Sequence, residues 1–412
     1  MTELIYDAGH AGQMGIAFGP PRIDIDGIRN WKESVIEKLS TGLRVLCTKR
    51  GVEFIAARAE FDGVNTVRLH DSHQVQHIRF KNAVIATGAE PVALPGVTFA
   101  PGSRIMDAAG ALELADIPER LLVAGGGYVG LELGSVYAAL GSRVTVVEMG
   151  ERLMSGADPD LTAPLVKRLK SSFQELIFQS KVLSLTENEN RVEAVLESPR
   201  GKMALEYDRV LLALGRRPKT DGLGLDKAGV KLTDQGFIKV DEQRRTSASH
   251  IFAVGDLTGE PQLAHKASYE GKIAAEVIAG KPSGYDATTV PAVVYTNPQL
   301  AWCGVTETQA KKEGRSVKIQ RFPWSASGRA VSMGLAEGFT KLIVDPATER
   351  IIGVGIVGRN AESLIAEGVL AVEMGALVTD LALTIHPHPT LSETEAEAAE
   401  IFLGGATHIL PR

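Results

Sequence analysis

The chain has 412 residues, too many for one hydrophobic core, so two to four domains are expected. Its 44% hydrophobic and 23% charged residues are a globular composition, which excludes disorder as the main state. The 44 basic and 50 acidic residues leave a net charge of −6 with no long run of one sign, which argues against a phosphate-backbone binder and makes nucleic acid an unexpected partner.

No stretch approaches the roughly 18–20 apolar residues of a membrane span, and the start MTELIYDAGH lacks a basic segment followed by an apolar one. A cytoplasmic location and no membrane partner are the expectation. The two cysteines, Cys47 and Cys303, lie far apart and form neither a disulfide framework nor a zinc module.

From Gly27 to Cys47, apolar residues at Ile28, Trp31, Val35, Ile36, Leu39, Leu43 and Leu46 recur at helical spacing and predict an amphipathic helix with Cys47 on its buried edge. VEFIAARAEF, NTVRLH and HIRFKNAVIATG then read as a small meander ending in a buried strand at Ala83–Ala86. Thr87-Gly88 after that strand reads on its own as a turn, with a ligand contact as the alternative.

At about Pro118 a βαβ pattern begins. Gly125, Gly127 and Gly130 form a G-x-G-x-x-G between an apolar strand, Leu121–Ala124, and a helix, Tyr128–Leu140. Glycines there allow a tight turn and close approach of backbone to a pyrophosphate, while the helix N-terminus supplies N–H groups and positive potential. Glu148, at the end of the next strand, can accept hydrogen bonds from the ribose hydroxyls of NAD and would repel the extra phosphate of NADP. The competing reading is a structural glycine turn.

Further on, Gly215 in LLALGRRP marks a strand end, and Arg216 and Arg217 read as solvated surface. Asp256 in FAVGDLTGEPQLAHKA either binds a sugar hydroxyl beside Gly255 or makes an Asx turn before Gly259. From Thr288, strands (AVVYT, KLIVD, IIGVGIV) and helices (AESLIAEGVLAVEMG, SETEAEAAEIFL) form an α+β unit. It contains His386-Pro387-His388-Pro389-Thr390-Leu391-Ser392-Glu393, in which a histidine with a nearby carboxylate can act as a general base. Thr390 and Glu393 also fit a capping box, and the two histidines could be half of a metal site, though no third ligand stands nearby and no metal is expected.

VAGGGYVGLE, LLALGRRP, IFAVGD followed by LAHKA, and HPHPTLSE occur in one order. Together with PQLAWCGVTE, FPWSASGRA and IIGVGIVG they resemble the flavin disulfide reductases, and among them the dihydrolipoyl dehydrogenases, from Gly15-Ile16 to the tail THIL. The resemblance implies an α/β fold with two Rossmann-like dinucleotide-binding domains, the first N-terminally truncated, and a C-terminal α+β dimerisation domain. The implied boundaries are 1–117 for the FAD-binding domain, 118–245 for the NAD-binding domain, 246–287 for the return to the FAD domain and 288–412 for the interface domain.

It further implies that Gly125, Gly126, Gly127, Gly130 and Glu148 hold NAD, with Val182 and Gly215 lining the same pocket. Thr87, Gly88, Asp256 and Ala264 would contact FAD. His388, oriented by Glu393, would take a proton from the dithiol at the active site of the other subunit of a homodimer, with His386 its non-catalytic neighbour. The implied activity is oxidation of protein-bound dihydrolipoamide with NAD through FAD. The implied partners are lipoyl domains of 2-oxo acid dehydrogenase complexes or the glycine-cleavage carrier protein. The family's first strand, its glycine motif for the ADP half of FAD and its C-x-x-x-x-C pair have no match in these 412 residues. That gap predicts a truncated chain, for which a catalytically silent NAD-binding protein or a diaphorase is the alternative.

Overall fold

A computed structural model describes residues 2–71 and 76–410. The chain divides into two compact units, one made of Met1–Arg22, Ala93–Gly215 and Ala287–Arg412, the other of Ile23–Val92 and Arg216–Asp286.

The first unit holds a five-stranded parallel sheet in the order Ile105–Met106, Arg209–Leu212, Arg120–Ala124, Arg143–Val147, Glu175–Ile177. The three central strands read as unbroken apolar runs because both of their faces are covered. Leu121, Leu122, Val144, Val146, Val210 and Leu211 are accordingly inaccessible to solvent. The helix Tyr128–Leu140 joins the second pair of these strands, and an antiparallel sheet of Lys181–Glu187, Val192–Ser198 and Gly201–Tyr207 contributes Val192, Ala194 and Leu196 to the same core.

The C-terminal part of this unit is a five-stranded antiparallel sheet in the order Ala292–Val294, Gln299–Gly304, Ile351–Gly358, Phe339–Val344, Lys318–Pro323. The helices Ala361–Met374 and Glu393–Leu403 share its core with Trp324, whose indole N–H donates to Thr340 Oγ1 at 3.1 Å. Cys303 lies in that core, and burial pushes its thiol up to about 12, as a small hydrophobe requires. Lys341 is buried with its Nζ 2.8 Å from Asp158, 3.0 Å from Asp160 and 2.8 Å from Glu307. These are also the carboxylates that stand close enough together to hold a cation, and the lysine ammonium meets all three.

The second unit contains an antiparallel sheet of Arg58–Gly63, Thr66–His70 and His77–Arg79, a parallel pair Ala83–Ile85 with Ile251–Ala253, and an antiparallel pair Ala89–Pro91 with Arg216–Pro218. Its helices are Ile25–Lys49, whose N-terminus is capped by the Asp24 carboxylate accepting the Gly27 N–H, and Ala264–Ile278.

Two expectations are corrected here. The strand expected to be buried at Ala83–Ala86 spans Ala83–Ile85, with only Ile85 buried and Val84 45% exposed, because it has a single partner strand among the described residues. The helix exists over Ile25–Lys49, but none of its residues is buried and Cys47 is half-exposed rather than on a covered edge. Its apolar stripe stands open, with Trp31 73%, Leu39 66% and Leu43 65% exposed. Periodicity identifies the apolar face of a helix and says nothing about whether a neighbour covers it. No described helix is long and apolar enough to cross a membrane.

Candidate functional site

In the first unit the strand Arg120–Ala124 runs into the glycine turn and the helix Tyr128–Leu140, as the spacing predicts. Gly125 has φ +110°, and a Cβ there would overlap the Ala213 carbonyl. A Cβ at Gly130 would overlap the Gly125 carbonyl, so both positions require glycine. Gly127 and Gly215 instead face open space, a cradle that a Cβ would begin to fill. The helix starts at Gly127 with no side-chain cap, which leaves its first N–H groups for an anion.

Glu148 follows the strand Arg143–Val147 and works on the turn itself. Its Oε2 accepts the Gly126 N–H and its Oε1 the Gly150 N–H, each at 2.7 Å. Each oxygen keeps a lone pair for a further donor. Val182 is buried in the core with Leu122 and Val147. Glu132, on the same helix, was not singled out from the sequence; its Oε1 accepts the Tyr295 N–H at 2.8 Å, and burial outweighs that bond and raises its pKa. Its only sequence signal was a carboxylate on an otherwise apolar helix.

In the second unit the strand Ile251–Ala253 leads to Gly255, at φ +86°, and Asp256. Asp256 is mostly buried and faces Arg216, whose Nη2 is 3.5 Å from its Oδ2 and donates to the Ala89 carbonyl at 2.9 Å. Arg216 is exposed as expected, and pairing of Arg216–Pro218 with Ala89–Pro91 also carries it to this turn. Arg217 pairs with Glu90. The Thr87 hydroxyl donates to the Lys219 carbonyl at 2.8 Å, and Gly88, at φ +72°, has open space where a Cβ would stand. Ala264 begins a 15-residue helix with no side-chain cap. An uncapped helix start, a glycine cradle and a carboxylate in one unit suit a phosphorylated, hydroxyl-rich cofactor.

His388 and Glu393 are brought together at the start of the helix Glu393–Leu403. His388 Nδ1 is 2.8 Å from Glu393 Oε1, while Glu393 Oε2 accepts the Thr390 N–H at 2.7 Å. One carboxylate thus makes half of the expected capping box and also holds the histidine. Burial pushes the Glu393 pKa up, but the Thr390 N–H and His388 outweigh it and hold it below the ordinary range. The ionised carboxylate makes Nδ1 the donor, so Nε2 carries the lone pair on a ring that is 73% exposed. His386 differs: Nδ1 faces the Thr384 carbonyl at 2.9 Å and Nε2 faces Glu367 at 2.8 Å, with the side chain buried. Glu395, also not singled out from the sequence, is fully buried, its carboxylate without a hydrogen-bond partner among the described residues, and burial followed by the charge of Glu367 raises its pKa well above the ordinary range.

Residues 6–271 match the family described as pyridine nucleotide-disulphide oxidoreductase, and residues 290–399 match its dimerisation domain. The chain belongs to the pyridine nucleotide-disulphide oxidoreductases. Curated relatives in this family include the dihydrolipoyl dehydrogenase of Vibrio parahaemolyticus, 42% identical over 99% of this chain and 86% of the relative. That of Geobacillus stearothermophilus is 44% identical over 98% of the chain and 86% of the relative.

Among solved structures, LpdA of Mycobacterium tuberculosis superposes with a TM-score of 0.89 at 26% identity, covering 97% of this chain and 87% of that one. The Cu(II) complex of the HOCl-induced flavoprotein disulfide reductase RclA of Escherichia coli superposes at 0.82 with 28% identity, covering 96% and 88%. The oxidoreductase class, its cofactors FAD and NAD, and the α/β fold with a C-terminal dimerisation domain are those the sequence motifs indicated.

Proposed function

We propose that the chain is the dehydrogenase component of 2-oxo acid dehydrogenase or glycine-cleavage systems, which oxidises a protein-bound dihydrolipoyl group with NAD by way of FAD and a redox disulfide that Cys47 and Cys303 do not form, and that His388 is its base. The observation that carries this reading is the His388–Glu393 pair, which leaves Nε2 outward as a proton acceptor while every nitrogen of His386 is engaged. Bound FAD and NAD supply electron acceptance and hydride transfer. Gly125 to Gly130 and Glu148 hold the NAD pyrophosphate and ribose; Thr87, Gly88, Asp256 and Ala264 hold FAD; Val182 and Gly215 border the NAD pocket. In the homodimer, His388 serves the active site of the partner subunit, and a lipoyl domain presents the substrate. The four-part domain plan, 1–117, 118–245, 246–287 and 288–412, belongs to the same proposal.

A second reading, that residues 1–412 bind dinucleotides without turning over a dithiol, rests on the cysteines. Dithiol oxidation through the family's route needs a protein disulfide. Cys303 is a core residue and Cys47 stands on the helix Ile25–Lys49, so neither belongs to a C-x-x-x-x-C pair. The test is His388→Gln in protein isolated from its native cells, with the intact mass measured on the same sample. The first reading expects dihydrolipoamide oxidation to fall by about 10²–10⁴-fold with flavin content unchanged. An unchanged rate removes His388 from the chemistry. NADH oxidation by dyes with none by lipoamide, in protein of the mass this sequence dictates, establishes the second reading.

A further inference from the structure

Behind the Gly255–Asp256 turn lies a buried charged cluster that the proposed chemistry does not use. Glu270, on the helix Ala264–Ile278, is wholly inaccessible to solvent, and its Oε2 accepts the Gly255 N–H at 2.6 Å. Its Oε1 is 3.0 Å from Arg244 Nη1 and 3.2 Å from Lys266 Nζ. Lys266, one helical turn earlier and also buried, donates to the carbonyls of Gly255 at 3.4 Å and Gly259 at 3.1 Å and to Thr258 Oγ1 at 3.2 Å. The N–H and the C=O of one residue are thus held by opposite charges four positions apart on one helix face.

We propose that Glu270, with Lys266, is a positioning residue for the flavin cofactor: it locks Gly255 in its left-handed conformation and so fixes the direction of the Asp256 carboxylate toward the FAD ribityl chain. This rests on the FAD reading above. Gly255 holds φ +86°, and a Cβ there would stand only 3.1 Å from Ala267 Cβ, so the turn packs closely on the helix and favours glycine. Asp256 follows directly, and its side-chain direction is set by that peptide. Burying three charged groups is expensive compared with an apolar packing of the same volume, so stability alone is a poor reason for them. Their bonds end on the peptide that carries the ligand residue, a reason that stability does not supply.

The experiment is a double-mutant cycle on FAD affinity in the full chain, read from flavin fluorescence quenching on the apoprotein, with NADH affinity measured alongside. Asp256→Asn and Glu270→Gln are each expected to weaken FAD by about tenfold. The double variant should be no weaker than the worse single one, and NADH affinity should stay unchanged, because Glu270 acts through Asp256. A merely structural role makes the two losses multiply, and that result, or a Glu270→Gln affinity within twofold of wild type, overturns the proposal. Lys266→Met in the same cycle decides the matter if Glu270→Gln does not fold. A wild-type chain that takes up no FAD overturns the cofactor reading together with this role, whereas multiplying losses with normal wild-type uptake overturn the role alone.

Discussion

The glycine turn at Gly125–Gly130 is shaped by atoms it lacks: a Cβ at either end would overlap a carbonyl, and a single carboxylate, Glu148, ties its Gly126 N–H to that of Gly150 in the following loop. The turn at Gly255–Asp256 is shaped by what is packed behind it, a buried carboxylate with a lysine from its own helix and an arginine from outside that helix. The need for glycine falls on the turn's own residues, even where the excluding carbonyl is that of distant Ala213, so it writes itself into the sequence as a spacing of glycines. A charge clamp leaves no such spacing, because Lys266 and Glu270 are distinguished by their burial and in the sequence look like any solvated pair on a helix.

The largest test of this contrast is Gly130→Val. Forcing a branched side chain against the Gly125 carbonyl is expected to cost more than about 3 kcal/mol and to abolish NAD binding. Chemical denaturation and NADH titration check it, and a variant that binds NADH normally would show the steric account of that turn to be wrong. Glu148→Ala is milder: the helix and strand remain, Gly126 and Gly150 lose their acceptor, and NAD affinity should drop by about tenfold with little change in Tm.

The strand Arg120–Ala124, the helix Tyr128–Leu140, the position of Glu148 and the His388–Glu393 pairing follow from apolar runs and from motif spacings, the βαβ pattern setting Glu148 and a short loop setting the histidine pair. Arg216 beside Asp256, Glu132 beside Tyr295 and the Glu270 clamp depend on strand pairing or packing across distant residues, which periodicity does not encode. The open face of Ile25–Lys49 is the opposite case: the apolar stripe was visible, and its lack of cover was not.

Two carboxylates at one helix start sharpen the contrast through pH. Glu393, hydrogen-bonded, has a folded pKa below its ordinary 4.5, so its contribution to stability is present above that value and is lost as pH falls through the folded pKa. Glu395, buried and unpartnered, has a raised folded pKa, so its contribution is full below the ordinary value and is lost as pH rises through the folded one. Glu395→Gln should therefore raise Tm by a few degrees at pH 7 and have little effect near pH 4, whereas Glu393→Gln should lower Tm at pH 7. Thermal melts across pH 4–8 check both signs. At the small end, Lys181→Ala breaks an exposed pair with Glu197 and should shift Tm by no more than about one degree.

The most direct measurement is calorimetric titration of the full chain with FAD and, separately, with NADH, in wild type and in Gly127→Val and Asp256→Asn. Two independent sites, each of one-to-one stoichiometry, are predicted, with Gly127→Val impairing only NADH and Asp256→Asn only FAD. Competition of the two dinucleotides for a single site, or loss of both in either variant, would contradict the assignment of one turn to each cofactor.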